Sequence, residues 1–109
     1  MTEKFEIEFL EDALDFLIAL EEKTQSKVMY NIEKAKFIND PKVFKKLRDN
    51  IWEFRTEYKR LQYRLLAFWD KRDVNKTLVV CTHGFVKKTD QVPSSEIDKA
   101  ITLMRNHFR

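Results

Sequence analysis

A single glycine, Gly84, occurs in the 109 residues, which excludes the glycine-rich loops that cradle phosphates in nucleotide-binding proteins. A single cysteine, Cys81, excludes an internal disulfide, and its place in an apolar run marks a core thiol rather than a nucleophile. The two histidines, His83 and His107, are far apart and with that one cysteine give no metal-site spacing, so neither metal nor cofactor is expected. No apolar run approaches the roughly 20 residues of a membrane span, and the acidic, polar N-terminus is unlike a signal peptide. Only two prolines, with 36% charged residues, argue against a low-complexity or disordered chain. These absences predict a soluble, cytoplasmic protein with no membrane partner.

What is present suits a packed globule: 43% hydrophobic residues and 13% aromatics, nine of them Phe. The length gives room for one domain, residues 1–109, with one modest core. The net charge of +3 hides a division. Residues 1–40 carry ten acids against five lysines, and residues 41–109 carry sixteen Lys/Arg against eight acids. The second part therefore suits a nucleic acid or an acidic protein as partner.

In chain order, residues 4–9 alternate, with Phe5, Ile7 and Phe9 on one side, and predict an opening strand. Residues 11–23 turn helical, with Leu10, Leu14, Leu17 and Ile18 on one face and Glu11, Asp12 and Asp15 at the positive end of the dipole. Thr24 or Ser26 is the expected N-cap of a second helix running to about Asn39, with Val28, Ile32, Ala35 and Ile38 inward. Pro41 ends it. Residues 42–50 read as a basic connector anchored by Val43, Phe44 and Leu47, in which Lys45, Lys46 and Arg48 are either solvated or phosphate-contacting. Pro93-Ser94-Ser95 announces a last helix, with a hydroxyl N-cap and Ile97, Ala100, Ile101, Met104 and Phe108 on one face.

Between these lie residues 51–88, three alternating runs that predict a small antiparallel sheet burying one face on helices. Arg55, Arg64, Lys87 and Lys88 sit inside or beside the apolar runs, so the other face is cationic and suited to a polyanion. A turn at residues 57–60 sets Glu53 opposite Arg64 and Arg55 opposite Gln62. A second turn centred on Asp73-Val74 sets His83 opposite Arg64 and Phe85 opposite Gln62. On that register Glu53, Arg64 and His83 form one polar row. Trp52, Phe54, Leu61, Tyr63, Leu65, Val80 and Thr82 form the opposite, mostly apolar face.

The segments WEFR at 52–55, YR at 63–64 and HGFVKKT at 83–89, followed by P-x-x-E-I at 93–97, resemble the phage-derived HigB branch of the RelE/ParE toxin superfamily. The resemblance spans nearly the whole chain. It implies an α+β, RelE/ParE-like fold: an N-terminal strand and helical hairpin on a small antiparallel β-sheet, with a C-terminal helix. It also implies the toxin of a type II toxin–antitoxin system, a metal-independent endoribonuclease (mRNA interferase) that cleaves mRNA on the ribosome and so inhibits translation. A helix-turn-helix, HigA-like antitoxin is the implied partner.

RNA cleavage without a metal requires the 2′-oxygen deprotonated, the phosphorane's charge stabilised and the 5′-oxygen protonated. Cations fixed on a rigid sheet suit the second task. Arg64 matches the family's catalytic arginine by its Tyr-Arg context, and Arg55 matches a basic residue of the preceding strand. Lys87 or Lys88 falls where relatives place a further cation, and a lysine crowded by cations can act as base or acid. Glu53 is an alternative base and His83 an alternative acid. Lys45, Lys46, Arg48, Lys59 and Arg60 are candidate RNA contacts, with Tyr58 as a base-stacking ring. Each has a structural competitor, such as an Arg64–Glu53 cross-strand ion pair, lysines that guard a strand end, or a packed His83. The chain departs from RelE in having Glu53 within this run and in lacking that toxin's C-terminal tyrosine. A ParE-like gyrase poison and a non-catalytic RNA- or protein-binding module are the alternative readings.

Overall fold

The computed structural model describes residues 2–109. It is an α+β arrangement of five strands and three helices in the order β1 (Glu6–Phe9), α1 (Glu11–Ala19), α2 (Glu22–Ala35), β2 (Phe44–Lys46), β3 (Trp52–Tyr58), β4 (Leu61–Asp73), β5 (Lys76–Lys87) and α3 (Ser94–Phe108). The strands form one sheet in the order β1-β5-β4-β3-β2. β1 runs parallel to β5, and every other pairing is antiparallel. Among the described residues no helix is long and apolar enough to cross a membrane.

The sheet has a helix layer on each side. Against one face α1 and α2 bury Leu17, Val28 and Ile32 on Phe5, Phe44, Phe54 and Leu65. Against the other, α3 lays Ile97 and Ala100 on Leu66, Phe68 and Val80. Each of the larger side chains contributes about 1.5–3 kcal/mol by leaving water, so the two clusters fix which face of every strand looks which way. The helix hairpin crosses β5 closely at Gly84. A Cβ built there would lie 2.2 Å from the ring of Phe16, so the lone glycine is the residue that lets α1 approach.

Several sequence expectations are corrected. α1 stops at Ala19 rather than running to residue 23, because Leu20 and Glu21 are extended; the Gln25 side chain donates to the carbonyl of Leu17 at that break, at 2.8 Å. Thr24 is therefore buried inside α2 and caps nothing, Ser26 is likewise interior to it, and α2 ends at Ala35, short of Asn39. The inward face of α1 is Ala13 and Leu17, while Leu14 and Ile18 are exposed, as is Ile38 after α2. The hydroxyl N-cap of α3 is absent too: Pro93 occupies the cap position with no side-chain bond. The basic connector is in part an edge strand, since Phe44–Lys46 pairs with Trp52–Phe54. Its proposed anchors hold, with Val43 and Phe44 buried and Leu47 packed under α3.

The register differs from the expected one in an instructive way. The first hairpin turns on two residues, Lys59 and Arg60, both at positive φ (50° and 68°), so Arg55 faces Arg64 and Glu53 faces Leu66. Positive φ at both central positions is what a tight hairpin with native twist demands. The second hairpin turns on Val74 and Asn75, which sets Phe85, not His83, opposite Arg64, and Lys87 opposite Gln62. Both slips move partners by two residues, so the faces of β3 and β4 survive. A bulge at Thr82 does not preserve them: Leu66 faces His83 while the next residue, Ala67, faces Cys81. Val80 is thereby turned to the α3 side, against expectation.

Candidate functional site

α3 covers only part of its face of the sheet. Beyond it the row Arg55, Arg64, Phe85 crosses β3, β4 and β5, flanked by Glu53 on one side and by Gln62 with Lys87 on the other. Two arginines directly opposite each other repel. Glu53, one step along β3 on the same face, places its carboxylate between them. Its Oε1 lies 3.0 Å from Arg64 Nε and its Oε2 lies 3.8 Å from Arg55 Nε. The Arg64 N–H does not point at the oxygen, so this is an ion pair without a formal hydrogen bond.

Arg64 is 2% exposed and Glu53 4%. Arg64 also donates through Nη1 to the carbonyl of Tyr63 (2.9 Å) and through Nη2 to Gln62 Oε1 (3.3 Å). Burial pulls its pKa down, with the attraction of Glu53 opposing. Even so, a guanidinium stays charged throughout the physiological range. Arg55 is held at both ends. Its Nη1 donates to the carbonyl of Pro41 (3.1 Å), its backbone N–H donates to Val43, and its backbone carbonyl accepts from Asn31 of α2 (3.2 Å). Asn31 also donates to Thr56 Oγ1 at 3.0 Å, so a buried polar residue of the helix hairpin sets the height of Arg55 in the sheet.

Over this floor lies a cleft of about 450 Å³ between β2–β3 and the start of α3, lined among others by Lys45, Arg48, Glu53, Arg55 and Lys87. A second recess of about 310 Å³ adjoins it through Arg55 and is bordered by Arg64 and Gln62. Lys45 faces Glu53 across the edge pairing. Arg48 forms the far wall, donating to Asp49 (2.6 Å), to Ser94 Oγ (2.7 Å) and to Asp98 (3.2 Å). Asp49 first and Asp98 second raise its pKa. Lys87 donates to the carbonyl of Asp90 at 3.1 Å, and its pKa is lowered, first by desolvation and then by the charge of Arg64. Four cations line the cleft against two acids, Glu53 and Asp90, which leaves it with surplus positive charge. The N-terminal end of α3 adds to it. Such a site selects anions and disfavours a metal ion.

The structure thus brings together Arg64, Arg55, Glu53, Lys87, Lys45 and Arg48. It does not bring in the others. His83 is buried under α3, with Nε2 3.0 Å from Glu96 Oε1 and Nδ1 3.0 Å from Thr82 Oγ1. Burial lowers its pKa, and the bond to Glu96 opposes that shift. The expected Glu53–Arg64–His83 row does not exist, because Leu66 stands between Glu53 and His83. Lys88 lies past the end of β5 and is exposed. Lys46 shares the opposite face of β2 with Trp52. Lys59 and Arg60 form the hairpin tip, about 13 Å along the strands from the Arg55–Arg64 pair. Tyr58 packs into the helix-side core, with Lys59 Nζ 5.4 Å from its ring centre.

Sequence reasoning missed Gln62 as a ligand of Arg64, Asn31 as the support of Arg55, and Ser94 and Asp98 as the anchors of Arg48. Only a polar residue on the inward stripe of α2 marked Asn31 in advance. The second clasp of α3 was also missed. Asp70, 5% exposed, takes Arg72 (2.7 Å) and His107 (2.9 Å) at the far end of that helix. Arg72 is the main cause holding its carboxyl well below the usual carboxylate range.

The family model described as phage-derived protein Gp49-like (DUF891) matches residues 15–105, which include every residue of the cleft. No curated protein matches the chain.

Proposed function

The chain belongs to the phage-derived Gp49-like family, a toxin–antitoxin-associated family, and on that footing we propose that it is a toxin acting as a metal-independent endoribonuclease on mRNA, engaged on the ribosome. The observation that carries this reading is the cleft: Arg55 and Lys87 reach into it while Arg64 lies charged beneath it. The RelE/ParE-like resemblance of the sequence and the α+β arrangement support the same reading.

In this proposal Arg55 holds the scissile phosphate, and Lys45 and Arg48 hold the strand on either side. Arg64 is too deeply buried to grip substrate as the molecule stands. It works as a fixed positive charge under the developing phosphorane, where low dielectric strengthens its effect. Glu53 orients both arginines, which makes it a positioning residue rather than the base. Lys87, with its pKa pulled down, is the group suited to take the 2′-hydroxyl proton. The 2′-oxygen then bonds phosphorus as the bond to the 5′-oxygen breaks, and water supplies the proton to that leaving oxygen. The helix-turn-helix antitoxin expected as partner belongs to this proposal as well.

The test is to induce the chain alone in bacteria, follow growth, and map mRNA 5′ ends by primer extension. New ends phased within codons support a ribosome-dependent interferase. Growth arrest without new ends, with inhibited supercoiling by gyrase, would replace this reading by a gyrase poison.

A further inference from the structure

Both tryptophans of the chain, Trp52 and Trp69, lie half-buried on the helix-side face, where neither is fully covered. They line a largely apolar pocket of about 310 Å³ between edge strand β2 and the Ile38–Pro41 segment. Trp52 stacks on Phe44 with centroids 4.8 Å apart and meets Trp69 edge-on at 5.7 Å. Lys4, Lys45 and Lys46 stand on the rim. The one acid there, Asp40, accepts the backbone N–H of Lys42 and lies 3.8 Å from Lys34 Nζ. Lys71 adds a further cation, its Nζ 4.9 Å from the centre of the Trp69 ring.

Lys45 lines both this pocket and the cationic cleft, so the two are continuous around the edge of β2. We propose that the pocket takes one base of single-stranded RNA, from a nucleotide flanking the one held in the cleft, with Lys45 and Lys46 on the phosphate between. Flat aromatic walls with lysines at the rim are the combination that binds unpaired nucleotides, through stacking and phosphate contact together. The pocket lies at the small end of ligand sites, which suits one planar ring system. The inference rests on the ribonuclease reading of the cleft. It goes beyond that reading by giving the enzyme a second contact, on the reverse face of the sheet, through which flanking sequence affects affinity. The surplus of lysines favours a polyanion over an apolar side chain of a protein partner.

Because the only tryptophans line the pocket, intrinsic fluorescence reports its occupation. The probe is a dye-labelled RNA hexamer with 2′-O-methyl groups at every position, which blocks cleavage by removing the nucleophile. Binding is read by anisotropy and pocket entry by tryptophan quenching, with Trp69→Phe assigning the signal to Trp52. The expected result is quenching with the same midpoint as anisotropy. A hexamer with abasic positions should bind about tenfold or more weakly and fail to quench. Lys46→Glu, an exposed change outside the cleft, should weaken binding by a similar factor with an unchanged circular dichroism spectrum. Anisotropic binding with no quenching, and no effect of Lys46→Glu, would overturn the pocket and leave the cleft reading intact. No binding of the hexamer by a chain that still produces new mRNA ends on induction would overturn the pocket alone. Quenching by an acidic, phenylalanine-containing peptide but not by the hexamer would give the pocket to a protein partner instead.

Discussion

Arg64 Nε lies 3.0 Å from Glu53 Oε1, and both side chains are almost wholly withdrawn from water. A buried pair of this kind adds little stability over a well-packed apolar pair, but removing one partner strands the other. Arg64→Ala is therefore expected to cost about 3–5 kcal/mol in urea unfolding. Replacing both residues by Met should recover part of that loss, because no fully buried charge is then left unpaired and the partly exposed Arg55 keeps access to water. A single substitution at Arg64 that cost nothing would mean Glu53 finds water or Arg55 instead. Loss of toxicity in Arg64→Ala is informative only beside an unfolding curve.

Lys87 titrates below its ordinary value of 10.5 because of desolvation and the neighbouring Arg64. Its neutral, basic form thus gains population at lower pH than in a free lysine. Single-turnover cleavage should rise with pH across the window below 10.5, and Lys87→Arg should give a slow, flat profile. Linkage works in the same direction: the folded state binds fewer protons than the unfolded one there, so stability also rises with pH. An unchanged rising limb in Lys87→Arg would remove Lys87 as the base.

His83 is held neutral under α3 by burial, with its pKa lowered from 6.5. The unfolded chain then binds more protons than the folded one between 6.5 and the lower folded value. Stability is complete above 6.5 and falls as pH drops through that window. The urea midpoint should decline below about pH 6.5. His83→Gln, which keeps polar groups toward Glu96 and Thr82, should flatten this decline without removing cleavage. Loss of cleavage in a folded His83→Gln would restore it as the general acid.

The faces of the sheet were legible in the sequence, because alternation survives any register error of two residues. Arg55, Arg64, Glu53 and Lys87 were accordingly placed together, while their rows were not. The rows depend on a turn built from Lys59 and Arg60, which carry none of the Asn-Gly chemistry that announces positive φ. The bulge at Thr82 had no glycine or proline to mark it, and the break at Leu20-Glu21 is made by two ordinary residues in extended conformation. The Arg64–Glu53 ion pair was anticipated too, but as a directly opposed pair; it forms diagonally from β3 to β4, because Glu53 faces Leu66 and Arg55 faces Arg64.

That same turn offers a clean separation of roles. Residues other than Gly, Asn and Asp at positive φ cost about 1–2 kcal/mol each. Replacing Lys59-Arg60 by Asn-Gly should therefore raise stability by about 1–2 kcal/mol. Because the tip lies outside the cleft, cleavage should be unchanged. Cleavage that falls in the stabilised variant would return Lys59 and Arg60 to the RNA-contacting surface.

If cations converging on this cleft cut RNA, Lys87 is the residue whose removal shows it, because it is solvent-facing and its loss strands no buried partner. The measurement is primer extension on mRNA from cells induced for the wild-type chain or for Lys87→Ala, with both proteins shown to be folded by circular dichroism. The wild type should give new codon-phased 5′ ends and growth arrest, and Lys87→Ala should lose cleavage by about 10²-fold or more, and the arrest with it. Equal cleavage by the two proteins, or arrest by the wild type without any new ends, would contradict that role of the cleft.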